Sequence, residues 1–157
     1  MISIAHSLVC GAIASSIPDP NLAIPLAFGS HFIMDSVPHF DIGTHWRNRT
    51  KTLTGIIAAI DTILGFTLAY FIFREKVALP LLVSTIISGN LPDWLEAPYY
   101  IFFAKPNTTK LSPSAGFWER LTYNIYKTEN IFHAKAAVPL GILSQIAVVT
   151  FFLLLLR

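Results

Sequence analysis

An all-α, polytopic membrane bundle of about five helices is the fold this sequence predicts, and three observations predict it. Apolar residues make up 54% of the 157 residues and charged residues only 13%, against roughly 25% charged in a soluble domain. Mean hydropathy is +0.59. Leu53–Phe73 and Ala136–Leu156 each run for 21 residues, the first with Asp61 as its one charge and the second with none. At about 1.5 Å per residue such a helix reaches roughly 30 Å, the thickness of a hydrocarbon core. The same composition argues against a disordered chain and a soluble nucleic-acid binder. A single cysteine, Cys10, rules out an internal disulfide, and a net charge of +2 points to no polyanionic partner.

The remaining elements follow in order, within a single domain over residues 1–157. Ile2 to Val37 divides at Pro18-Asp19-Pro20 and reads as a helical hairpin. A cleaved leader is the competing reading of Ile2–Ser16, but it lacks a positive start and cleavage would remove His6. Val77 to Ala104 is apolar but interrupted by two prolines, Pro92 and Pro98. It predicts a helix over Val77–Ser88, a bend and a short aromatic segment. Pro106 to Glu129 is the long polar stretch. Ser112-Pro113 suits a helix start. Phe117, Trp118, Leu121, Ile125 and Phe132 then recur near helical spacing, which predicts an amphipathic helix on the bilayer surface or packed on the others. Trp46, Trp94 and Trp118 fall where an interfacial belt would lie.

Counting spans puts the N-terminus, 38–52 and 104–135 on one side, with eight Lys and Arg against three on the other. The positive-inside rule makes that side cytoplasmic.

One segment concentrates the polar chemistry. In Ser30-His31-Phe32-Ile33-Met34-Asp35, His31 and Asp35 lie four apart, so a helix sets both on one face. Pro38 ends the helix, and His39 and Asp41 follow where they can fold back; His45 beside Trp46 reads as interfacial loop. Imidazole and carboxylate together ligate zinc, with manganese and iron as alternatives. His6, Asp61, Asp93 and His133 fall near the same predicted membrane side. The preferred metal ligands are therefore His6, His31, Asp35, His39 and Asp41. Asp61 or Asp93 would bridge a second metal or act as general base, and His133 would assist the leaving group. Each has a plainer reading. Asp61 can pair with backbone or a Thr hydroxyl, Asp93 can cap a helix, and His133 can sit at the interface.

The early His with small residues (His6–Gly11), the Ser30–Asp35 element and Gly89-Asn90-Leu91-Pro92-Asp93 resemble the membrane-bound metal-dependent hydrolase family of small prokaryotic inner-membrane proteins. The family's H-R-x-x-T-H-S element has no counterpart beyond His133, and its P-D-x-D appears as Pro92-Asp93-Trp94-Leu95-Glu96. His31, Asp35, Pro38 and His39 are also locally similar to the helical zinc phospholipase C and P1 nuclease group. The first resemblance implies a metal-dependent hydrolase, and the second a phosphoester-cleaving helical metal site. Arg47, Arg49 and Lys51 nearby would favour a lipid head group or a lipid-linked phosphate. A non-catalytic membrane protein with a structural metal, or with an ion or proton pathway, is the alternative.

Overall fold

The first helix, α1 (Ser3–Ser16), is the axis of the molecule. It touches four other helices and buries ten of its fourteen residues. A helix covered on every side needs small side chains, and Ser, Ala, Gly and Cys supply them here. The structure, a computed structural model, describes residues 1–41, 48–105 and 110–156. Among these the chain is all-α, with six α-helices. Pro18–Pro20 turns the chain into α2 (Pro20–Asp35), with Asp19 accepting from the Asn21 amide at 2.9 Å as N-cap and Pro20 as first helical residue. The predicted hairpin is thus present. It sets the start of α1 beside the end of α2.

The predicted span is α3 (Lys51–Phe73), capped by Thr50, which accepts from the Leu53 amide at 3.2 Å. It is long and apolar enough to cross a membrane. Gly65 faces α1. A Cβ added to Gly65 would lie 2.8 Å from the Ser3 carbonyl oxygen and the Ser7 hydroxyl, so the backbones approach closely here.

Three expectations are corrected. The predicted bend after Ser88 is absent: α4 (Leu79–Pro98) runs through Pro92 without a break. A proline removes one hydrogen bond, and contacts with neighbouring helices compensate for it. The irregularity comes later, as a π-helical turn over Tyr99–Phe103 that closes with the Ala104 amide on the Tyr99 carbonyl at 2.8 Å. The polar helix, α5 (Phe117–Phe132), starts after Gly116 rather than at Ser112-Pro113, because Ser112 to Ala115 forms a turn of its own. It packs on α4 and the π-turn, where Tyr99 stacks on Tyr126 at 4.6 Å, while Phe117, Trp118 and Ile131 face outward. The last helix, α6 (Leu140–Leu155), has 16 residues instead of the predicted 21, because Pro139 delays its start. That length reaches about 24 Å, short of a full crossing. His45, Trp46 and Arg47 lie outside the described residues.

Between α5 and α6 the chain runs beside the segment that follows α2. The His39 amide donates to the Ala134 carbonyl at 2.9 Å, and the Ala136 amide donates to the His39 carbonyl at 2.8 Å. The Ala134 amide donates to the Asp35 carbonyl at 2.9 Å. Gln145 of α6 accepts from the Ile2 amide at 3.2 Å and donates to the Phe40 carbonyl at 2.7 Å. These bonds tie the chain's two ends to the close of α2.

Gly65→Ala is expected to lower the stability of detergent-purified protein by about 1–3 kcal/mol through overpacking. Gly55→Ala, whose new Cβ would meet nothing closer than Ile101 at 3.7 Å, should be neutral or stabilising, since Ala favours the helix by up to about 1 kcal/mol. Thermal melts of the two variants check the pair; equal melting points would contradict the close approach.

Candidate metal centre

The hairpin places His6 in the first turn of α1 opposite the last two turns of α2, which carry His31 and Asp35. The Asp35 carboxylate stands among four imidazoles. Its oxygens lie 3.2 Å from His6 Nε2, 3.6 Å from His31 Nε2, 3.8 Å from His39 Nε2 and 3.6 Å from His133 Nε2. The Met1 α-ammonium also pairs with Asp35. His6 and His31 stack with ring centroids 4.2 Å apart, and His39 and His133 lie 4.8 Å apart. The carboxylate and all four imidazole side chains are at most 4% exposed.

Two of the imidazoles are set in a definite tautomer. His31 Nδ1 is 2.8 Å from the Gly89 carbonyl and His39 Nδ1 is 2.8 Å from the Val37 carbonyl. A carbonyl oxygen only accepts, so each Nδ1 carries the proton and each Nε2 presents a lone pair to the cluster. This is the usual outer support of a metal-ligating histidine. Among the described residues, the ring nitrogens of His6 and His133, and Nε2 of His31 and His39, have no hydrogen-bond partner. So many buried polar atoms without partners are costly unless something further binds them.

Burial also keeps the outer two rings neutral. Burial depresses His39, against a smaller upward pull from Asp35. Burial pushes His133 down to about 4, again partly opposed by Asp35. At neutral pH both offer an unprotonated nitrogen, the form that coordinates a metal.

The donors fall into two groups that could each hold an ion. His6, His31 and Asp93 bring one atom each within 4.8 Å of one another, and so do Asp35, His39 and His133. Asp93 reaches the first group from α4, 3.9 Å from His31 Nε2. Glu129 of α5 reaches the same nitrogen at 3.6 Å and is 5% exposed. The sequence reading missed Glu129. The signal was present, because Glu129 stands four residues before His133, the His31–Asp35 spacing in reverse order.

The other predicted residues sit at the margin. Asp41 is 3.7 Å from His133 Nε2 and 4.0 Å from Lys135 Nζ. Asp61 is placed elsewhere: its carboxylate accepts from the Ser3 amide at 2.7 Å. The first amides of α1 have no side-chain cap of their own, and Asp61 supplies one from the neighbouring helix. His133 lies inside the ligand cluster rather than beside it.

A cavity of about 100 Å³ adjoins the centre between α1, α3 and α4. Asp41, Asp61, Asp93 and Glu96 line it together with Trp94 and Tyr100, and among the described residues no Lys or Arg does. Glu96 accepts from the Tyr100 hydroxyl at 2.7 Å. Lys51 donates to the Phe102 carbonyl at 2.8 Å.

No family model, curated protein or solved structure matches this chain.

Asp61→Ala separates the cap from a ligand. It should cost about 1–3 kcal/mol, the cost of buried amides left unpaired, while the folded protein keeps its wild-type metal-to-protein ratio. A lost metal with an unchanged melting point would return Asp61 to the ligand set.

Proposed function

We propose that the chain is a polytopic membrane protein that hydrolyses phosphoesters with the help of a divalent metal, zinc by preference, at the cytoplasmic face of a prokaryotic inner membrane. The membrane reading is supported by α3, whose most apolar 18-residue window is only 22% buried inside the protein. A soluble protein would bury such a helix. Ile56, Ile60, Ile63 and Phe71 of α3 and Leu143 and Ile146 of α6 point outward instead, as lipid-facing residues do. In this reading α1, α2, α4 and α6 are membrane-embedded although each is shorter than α3, and the cavity beside Asp93 is the route by which water would reach the centre.

The observation that carries the metal reading is the set of buried Nε2 atoms, two of them fixed by backbone carbonyls, aimed at Asp35 and Asp93. A divalent ion there would polarise a phosphoryl oxygen and lower the pKa of a water it carries. Asp93 is the residue placed for proton transfer. It borders both the imidazoles and the cavity, and its side chain is 23% exposed. It would take a proton from the water whose oxygen forms the new bond to phosphorus. It would return that proton to the ester oxygen as the old P–O bond breaks. The described lining of the cavity bears four carboxyl groups, and bound cations would meet the charge of a phosphate there. A membrane lipid or lipid-linked phosphoester would reach that cavity along the apolar flanks of α3 and α4.

A structural metal is the second reading, and one observation favours it: the Asp35 side is sealed, as in a closed site. Assays with p-nitrophenyl mono- and diesters and with phospholipid micelles decide between them. Hydrolysis by purified protein should need added metal and be abolished by chelator, and Asp93→Asn should lower it at least about 100-fold. Bound metal without turnover of any ester would leave the structural reading in its place.

A further inference from the structure

We infer that the centre holds two divalent cations that share Asp35. One ion is held by His6, His31 and one oxygen of Asp93, whose other oxygen stays free for the proton transfer, with Glu129 in reach; the other ion is held by His39 and His133. The inference rests on the metal-binding reading of the same residues, and it depends on the number and grouping of the donors. Four imidazoles and the carboxylates of Asp35, Asp93 and Glu129 offer seven ligand side chains in one buried cluster. A zinc site takes about four ligands and a catalytic one keeps a position for water. One ion would therefore leave several buried donors with nothing to bind, including nitrogens that have no hydrogen-bond partner.

The grouping is as informative as the number. The imidazoles are paired, His6 with His31 and His39 with His133, and each pair has a carboxylate within 4.8 Å, Asp93 for the first and Asp35 for the second. Asp35 alone lies within 3.8 Å of all four rings. Each of its oxygens faces one ring of each pair in the structure. Rotation about its soft terminal torsion would give each ion one oxygen. The two pairs also come from separate parts of the fold. The first is carried by α1 and α2, and the second by the paired segments after α2 and α5. Paired ions roughly 3.5–4 Å apart are a known arrangement for clamping the attacking and leaving oxygens of a phosphoryl displacement.

The full chain, stripped with chelator in detergent and re-equilibrated with Mn²⁺ or Zn²⁺, decides the matter by elemental analysis and electron paramagnetic resonance. Two ions per chain are expected, with the Mn²⁺ form giving the spectrum of a spin-coupled pair. Asp93→Ala and His133→Ala should each retain one ion and show an isolated Mn²⁺ signal. One ion per wild-type chain would overturn the shared pair and leave a mononuclear hydrolase standing. No bound ion would remove both readings, and two ions without coupling would overturn the bridge by Asp35. The wild-type measurements suffice even where a variant does not fold.

Discussion

A carboxylate surrounded by four imidazoles, shut away from water, is the constraint around which this molecule is arranged. Desolvating Asp35 is costly unless the charge is matched at short range. The Met1 α-ammonium supplies that charge in the structure, and the imidazoles brought by α1, α2 and the junction before α6 enclose the carboxylate. The helix ends converge there for the same reason. The start of α1 and the end of α2 meet because the hairpin is antiparallel, and the backbone pairing of His39 with Ala134 and Ala136 brings in His133. Gln145 then joins Ile2 to Phe40 across that junction. Small residues along α1 make the arrangement sterically feasible. A larger side chain at Gly65 would push α3 away from the turn that carries Ser3 and His6.

Much of this was legible in the sequence, for reasons that can be named. Helical spacing put His31 and Asp35 on one face, Pro38 ended the helix in time for His39 to fold back, and Pro18–Pro20 marked the hairpin. The long apolar run of α3 was readable because length and composition alone define it. Prolines misled in both directions. Pro92 was read as a break, yet a helix held by neighbours on several sides tolerates one missing hydrogen bond. Pro139 was passed over inside an apolar run, although it sets the start of α6. Asp61 was drawn toward the metal because a charge in an apolar span asks for a partner. Its partner is the open N-terminus of α1, which only the tertiary packing reveals. Glu129 was hidden by its surroundings, since a glutamate on a polar helix ordinarily faces solvent.

The charge pattern around the centre links the geometry to the chemistry. The sequence placed basic residues near the site and so favoured an anionic ligand held by Arg and Lys. Among the described residues the cavity is lined by four carboxyl groups. An acidic cavity can accept a phosphoester only if cations intervene, and the buried imidazoles beside it are placed to hold them. In the proposed reaction hydrolysis and metal loading would be one requirement rather than two, since the ions would both offset the charge of the ester and activate the water. Asp93 stands where both demands meet, because it borders the imidazoles on one side and the cavity on the other. The same position makes it the residue through which the metal centre and the bound ester would sense one another.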